Sequence, residues 1–74
     1  MRKYSNDPIN QIVDLGDGKY EFCYNHSQQE VENHITYEAD IVVCPMPVSR
    51  AAIIYALMED GKTADEANDL TEGI

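Results

Sequence analysis

Residues 47–61, PVSRAAIIYALMEDG, constrain the fold more than any other stretch. Pro47 suits a first helical turn, and Gly61 suits the left-handed stop at the far end. Between them Val48, Ala51, Ala52 and Tyr55 make one apolar stripe, and Ile53, Ile54, Leu57 and Met58 make another. Apart from Arg50 and the closing Glu59-Asp60, the helix predicted over 47–60 is apolar round nearly its whole circumference. Such a helix must be covered on more than one side. A sheet can cover one side, and a second helix or a second subunit must cover the other.

The sheet is written upstream. Residues 19–26, KYEFCYNH, put Tyr20, Phe22, Tyr24 and His26 on one face and Glu21, Cys23 and Asn25 on the other. The preceding Asp17-Gly18 is a strong hairpin signal, and 9–15 carries Ile9, Val13 and Leu15 at period-two spacing. A hairpin of strands 9–15 and 19–26 is therefore expected. Residues 35–44, ITYEADIVVC, resume alternation with Tyr37, Ala39, Ile41 and Val43 on one face, until Pro45 and Pro47 end the strand. The polar 27–34 reads as a loop or a weak helical turn, and 1–8 as a loose N-terminal arm ending in Asp7-Pro8. Thr63 and Glu66 have capping-box spacing and open a short helix over 64–72.

The expected fold is one small α+β domain spanning 1–74. A three-stranded antiparallel β-sheet is followed by two helices, in the order β-β-β-α-α. The expected core is Val13, Leu15, Tyr20, Phe22, Tyr24, Ile41, Val43, Ile53, Ile54, Leu57 and Leu70. Seventy-four residues bury a modest fraction of their surface. The chain has one Phe and no Trp, so a partner subunit could complete its core. Val48, Ala52, Tyr55 and Met58 are the candidate interface on the helix.

The net charge of −9 comes from 14 acidic and 5 scattered basic residues. Direct nucleic-acid binding needs clustered Lys and Arg, so neither that nor binding to an anionic membrane is expected. The longest apolar run, Ala51 to Met58, is far shorter than the roughly 20 residues of a membrane span. No basic-then-apolar leader is visible, and two cysteines are too few for a disulfide framework. A soluble cytoplasmic protein with two reduced thiols is expected.

Cys44 and Arg50 have the spacing of the cysteine phosphatases. Their loop works by pointing consecutive backbone N–H groups at a phosphate. Here Pro45 and Pro47 delete two donors, and no Gly permits the curl. No enzymatic activity is expected. Cys23, His26, His34 and Cys44 are zinc-ligand types. However, residues three apart on a strand point to opposite faces, so no metal or other cofactor is expected. Asp14, Asp17 and Gly18, and the acids Glu59, Asp60, Asp65, Glu66, Asp69 and Glu72, form no twelve-residue calcium loop.

The order YEFCYN, EVE, TYEADIVV, PVSRAAIIYAL and ADEANDL resembles small uncharacterised proteins of phages and prophages of gut bacteria. Those chains share a tyrosine-rich hairpin, a polar link, a third strand, an apolar helix and a short acidic helix. The matching positions here are Tyr20 to Asn25, Glu30 to Glu32, Thr36 to Val43, Pro47 to Leu57 and Ala64 to Leu70. The resemblance implies at most a virion-associated, assembly or host-directed accessory role, and it carries over no known activity. The leading expectation is a non-catalytic protein–protein interaction or assembly module, with self-association through the helix. The alternative is an acidic mimic of nucleic acid that inhibits a DNA-binding protein.

Overall fold

The computed structural model describes residues 1–74. It contains β1 (Arg2–Ser5), β2 (Ile12–Asp14), β3 (Lys19–Val31), β4 (His34–Pro45), α1 (Arg50–Glu59) and α2 (Ala64–Leu70). The class is α+β, as expected, but the antiparallel sheet has four strands, in the order β1-β4-β3-β2.

The extra strand is the stretch expected to be a loose arm. Polar side chains hold it. Arg2 lies opposite Asp40, and its guanidinium donates to the Asp40 carboxylate at 2.9 Å and to the Ser27 hydroxyl at 2.8 Å. Lys3 crosses the other face of β4 to Glu21 at 2.8 Å. Strand β1 shows no apolar alternation because these ion pairs, and not a buried face, fix its register.

The stretch 27–34 is not a loop. Strands β3 and β4 run on through it to a tight turn at Glu32-Asn33, where both residues have positive φ (50° and 70°). That is the backbone a two-residue hairpin turn of twisted strands needs. Most of this arm is exposed on both faces, so it could be polar throughout and still be a strand. It stretches the molecule to 40 × 28 × 21 Å.

A bulge between Tyr24 and Ser27 separates the arm from the packed part of the sheet. Asn25 sits there at φ 51°, and its amide donates to Asp40 at 3.2 Å. Burial pushes the Asp40 carboxyl up. The hydrogen bonds from Arg2 and Asn25 outweigh that and hold its pKa below the ordinary 3.8. A depressed carboxylate stabilises the fold above its ordinary pKa, and that stability goes as pH falls through the folded value. The urea midpoint is therefore expected to fall between pH 5 and pH 2. Asp40→Asn, which forgoes this contribution at neutral pH, should show a smaller fall.

The main core lies between one sheet face and the helices. Tyr20 pairs across with Cys44 and Phe22 with Val42, so all four share that face with Tyr24. Ile53, Leu57 and Ala67 close over them. The expected common face of Ala39, Ile41 and Val43 is present, but it is the one turned away from the helices, and the expected burial of Val43 is corrected. Helix-facing positions are Val42 and Cys44, whereas Val43 is 50% exposed on the opposite face. Ala39 and Ile41 are buried on that opposite face too, with Cys23, under Ile9 and Val13. The run Ile41-Val42-Val43 is apolar on both faces, so alternation alone does not choose between them.

Other core expectations are corrected in part. Leu15 is 44% exposed, because β2 ends at Asp14 and Leu15 enters the turn. The first strand is shorter than 9–15: Ile9 leaves the ladder and packs on the second cluster. Val13, Ile54 and Leu70 are half-buried, the latter two against the main core.

Helix α1 starts later than 47, because Ser49 caps it by accepting from the Ala52 N–H. Gly61, at φ +96°, follows its end. The Thr63–Glu66 capping box is present in both directions, at 3.0 and 3.2 Å. Helix α2 ends at Leu70, earlier than 72. No helix is long and apolar enough to cross a membrane.

Candidate functional site: the outward row of α1

Helix α1 buries Ile53 and Leu57 against the sheet and half-buries Ala52, Ile54 and Ala56. Its N-terminal end is tied to α2 by Arg50. The Arg50 Nε donates to Thr71 Oγ1 at 3.1 Å, and Nη2 donates to the Asn68 carbonyl at 3.3 Å. Thr71 is the one buried polar residue, and its hydroxyl donates to the Ala67 carbonyl at 2.8 Å. Helix α2 therefore covers the Arg50 side of α1.

The remaining side is uncovered. Tyr55 is 67% exposed and Met58 46%, with Ala51 and Val48 also exposed and Ala52 half-buried beside them. Ala51, Tyr55 and Met58 recur at helical spacing of four and three, so they form one row. Glu59 is the only charged helical residue next to it, and its carboxylate pushes the Tyr55 phenol up. Of the four candidate interface residues, Tyr55 and Met58 are the large members of this row, Ala52 is half-buried beside it, and Val48 is exposed before the helix cap.

Cys44 and Arg50 do not form a phosphate loop. Cys44 is 1% exposed within the main core, and burial raises its pKa, although the Tyr20 hydroxyl lowers it somewhat. A thiol held protonated is a poor nucleophile. Two of the three backbone donors between the two residues are already engaged. The Met46 N–H goes to the Gly18 carbonyl at 2.9 Å, and the Ser49 N–H goes to the Tyr20 hydroxyl at 3.3 Å. With Pro45 and Pro47 having no N–H, only Val48 of the five is left to donate. The Arg50 guanidinium turns to α2.

The zinc-ligand types are dispersed. Cys23 lies on the face opposite the helices, Cys44 under them, His26 at the bulge and His34 at the tip of the arm. Burial also raises the Cys23 thiol. No group of three or more His, Cys, Asp or Glu side chains is gathered as a metal site. Asp14 accepts from the Gly16 N–H at 2.7 Å, so it shapes the β2–β3 turn.

Sequence reading missed Arg2 as the residue that locks three strands together. An Arg in a polar segment carries no local signal of a partner 38 positions away. Comparison with known protein families, with curated proteins and with solved structures finds no match to this chain.

Proposed function

We propose that this chain is a non-catalytic interaction module, of the phage or prophage accessory type, that self-associates through the outward row of α1. One observation carries the reading: an uncovered apolar row, with Tyr55 67% and Met58 46% exposed, on a chain of net charge −9. Single exposed apolar residues need no explanation, whereas a contiguous row on one helix does.

The row is self-complementary. A two-fold axis through Tyr55 pairs an antiparallel second α1 so that Met58 of each copy meets Ala52 of the other. A large side chain then enters a gap left by a small one, which is what an isologous contact requires. Ten residues of helix are only about 15 Å long, so the buried area falls below that of standard stable interfaces. The dimer is expected to be weak, with a Kd on the order of 10–100 μM, and to tighten with salt as the like charges are screened.

Tyr55→Glu places one charge at the two-fold centre from each copy. It should raise the Kd at least about tenfold, a cost of about 1.4 kcal/mol, with no loss of fold. Sedimentation velocity over a concentration series reads this directly, and Ala52→Glu is expected to act in the same sense.

The charge supports a second reading. Glu59, Asp60, Asp65, Glu66, Asp69 and Glu72 lie within the two-helix segment and its end. Such a surface suits a nucleic-acid mimic that occupies a basic DNA-binding protein. Salt-sensitive competition with DNA for that protein is the result this reading requires.

A further inference from the structure

We propose that the open edge of β4 takes up an extended peptide segment carrying Lys or Arg, which joins the sheet as an additional strand. The Ile41 N–H donates to the Met1 carbonyl at 2.8 Å. Odd-numbered residues in this part of β4 therefore turn their backbone groups toward the β1 side. Pairing with β1 runs through Arg2↔Asp40 and ends at that bond. Val43, two residues on, presents both its N–H and its C=O to the same side, where no strand stands. Pro45 has no N–H and closes the far end of the edge.

A groove of about 320 Å³ lies along this edge, lined by Met1, Ile41, Val42, Val43, Ala56, Glu59 and Asp60. An unpaired edge beside an apolar groove is the surface on which peptides add as strands. Main-chain hydrogen bonds supply affinity there, and alternate side chains supply selectivity.

Charge selects the occupant. The ion pairs of the structure join Arg2 and Lys3 to Glu21, Glu38 and Asp40, so Glu59 and Asp60 belong to none. These two carboxylates stand at the C-terminal end of α1, whose last turn holds no basic residue. The helix dipole favours a cation at that end, and an incoming Lys or Arg supplies one. A second copy is a poor occupant, because two-fold pairing of β4 edges would bring both sets of Glu59 and Asp60 together.

The side-chain pattern follows from the pleat. The residue opposite Val43 lies beside its exposed side chain and should be apolar. Its neighbours face α1 and should be basic. The probe is thus a capped seven-residue peptide alternating Lys and Val. Its control carries the same side chains with alternate backbone nitrogens methylated, which keeps the charge and prevents pairing.

On isotope-labelled protein, the unmodified peptide should shift the Val43 amide signal and slow its hydrogen exchange. It should bind at least about tenfold more tightly than the methylated control, the worth of two lost hydrogen bonds of about 1 kcal/mol each. Glu59→Gln with Asp60→Asn should weaken it, whereas Ala52→Glu, seven residues and about 10 Å along the helix from Glu59, should bind it as the wild type does. That last variant separates this edge from the α1 row, so either can fail alone. Equal binding of the two peptides, an unmoved Val43 amide, or no binding at millimolar peptide overturns the proposal. So does a Val43 amide already protected in a dimer of the free protein, which would make a second copy the occupant.

Discussion

Phe22→Ala is expected to cost about 3–5 kcal/mol, a large share of the stability of the chain. Phe22 is fully buried. It lies opposite Val42 on one side and Ile12 on the other, and it stacks on Tyr24 with ring centroids 5.8 Å apart. Removing a buried Phe costs about 3–5 kcal/mol, the lost transfer energy plus the cavity left behind. At about 0.05–0.15 kcal/mol per residue, a chain of 74 residues has about 4–11 kcal/mol of stability in all. The substitution therefore removes much of it. Near-ultraviolet circular dichroism and urea titration would show this as a weakened tertiary signal and a much lower urea midpoint. An unfolding free energy within about 1 kcal/mol of wild type would mean that Phe22 is not the centre of the core.

Leu57→Ala has the next largest expected effect, about 2–5 kcal/mol. Leu57 and Ile53 are the two fully buried residues of α1, and they seat the helix on the sheet. Cys44 belongs to the same cluster and supplies a chemical readout. In the wild type both thiols are buried and their pKa values are raised by that burial. They should react slowly with a disulfide reagent at pH 8. Reaction there tracks opening of the structure, so the loss of 2–5 kcal/mol should speed Cys44 labelling by at least about thirtyfold. Cys44 labelled at the wild-type rate would show that α1 does not cover it.

The parts of this fold legible in the sequence are those where one face is buried and the other is not. Tyr20, Phe22 and Tyr24 alternate cleanly, and they form the helix-facing side of β3. The Thr63–Glu66 capping box and the Gly61 stop are local signals, and both are present. Strand β1 left no such trace, because Arg2 and Lys3 hold it through partners distant in sequence. The outer arm left none either. Val31 and Ile35 there are exposed, and a strand without a buried face has no period to read. The placement of Val43 failed for a third reason. Three successive apolar residues fit either frame, and the pairing of Phe22 with Val42 decides between them.

The same distinction applies to the candidate site. The excess apolar surface of α1 was legible, since no amphipathic division runs along 47–60. Which side stays uncovered was not, because that depends on Arg50 bonding to Thr71 and Asn68 in α2. Once α2 takes that side, Ala51, Tyr55 and Met58 are left outward.

The central claim is that this outward row is a contact surface between copies. Sedimentation velocity of the wild type and of Tyr55→Glu, from about 5 μM to 1 mM, tests it most directly. The wild-type boundary should move from monomer to dimer across that range, and the variant should stay monomeric with an unchanged urea midpoint. A wild-type chain that remains monomeric at 1 mM, or a Tyr55→Glu chain that dimerises equally well, would contradict it.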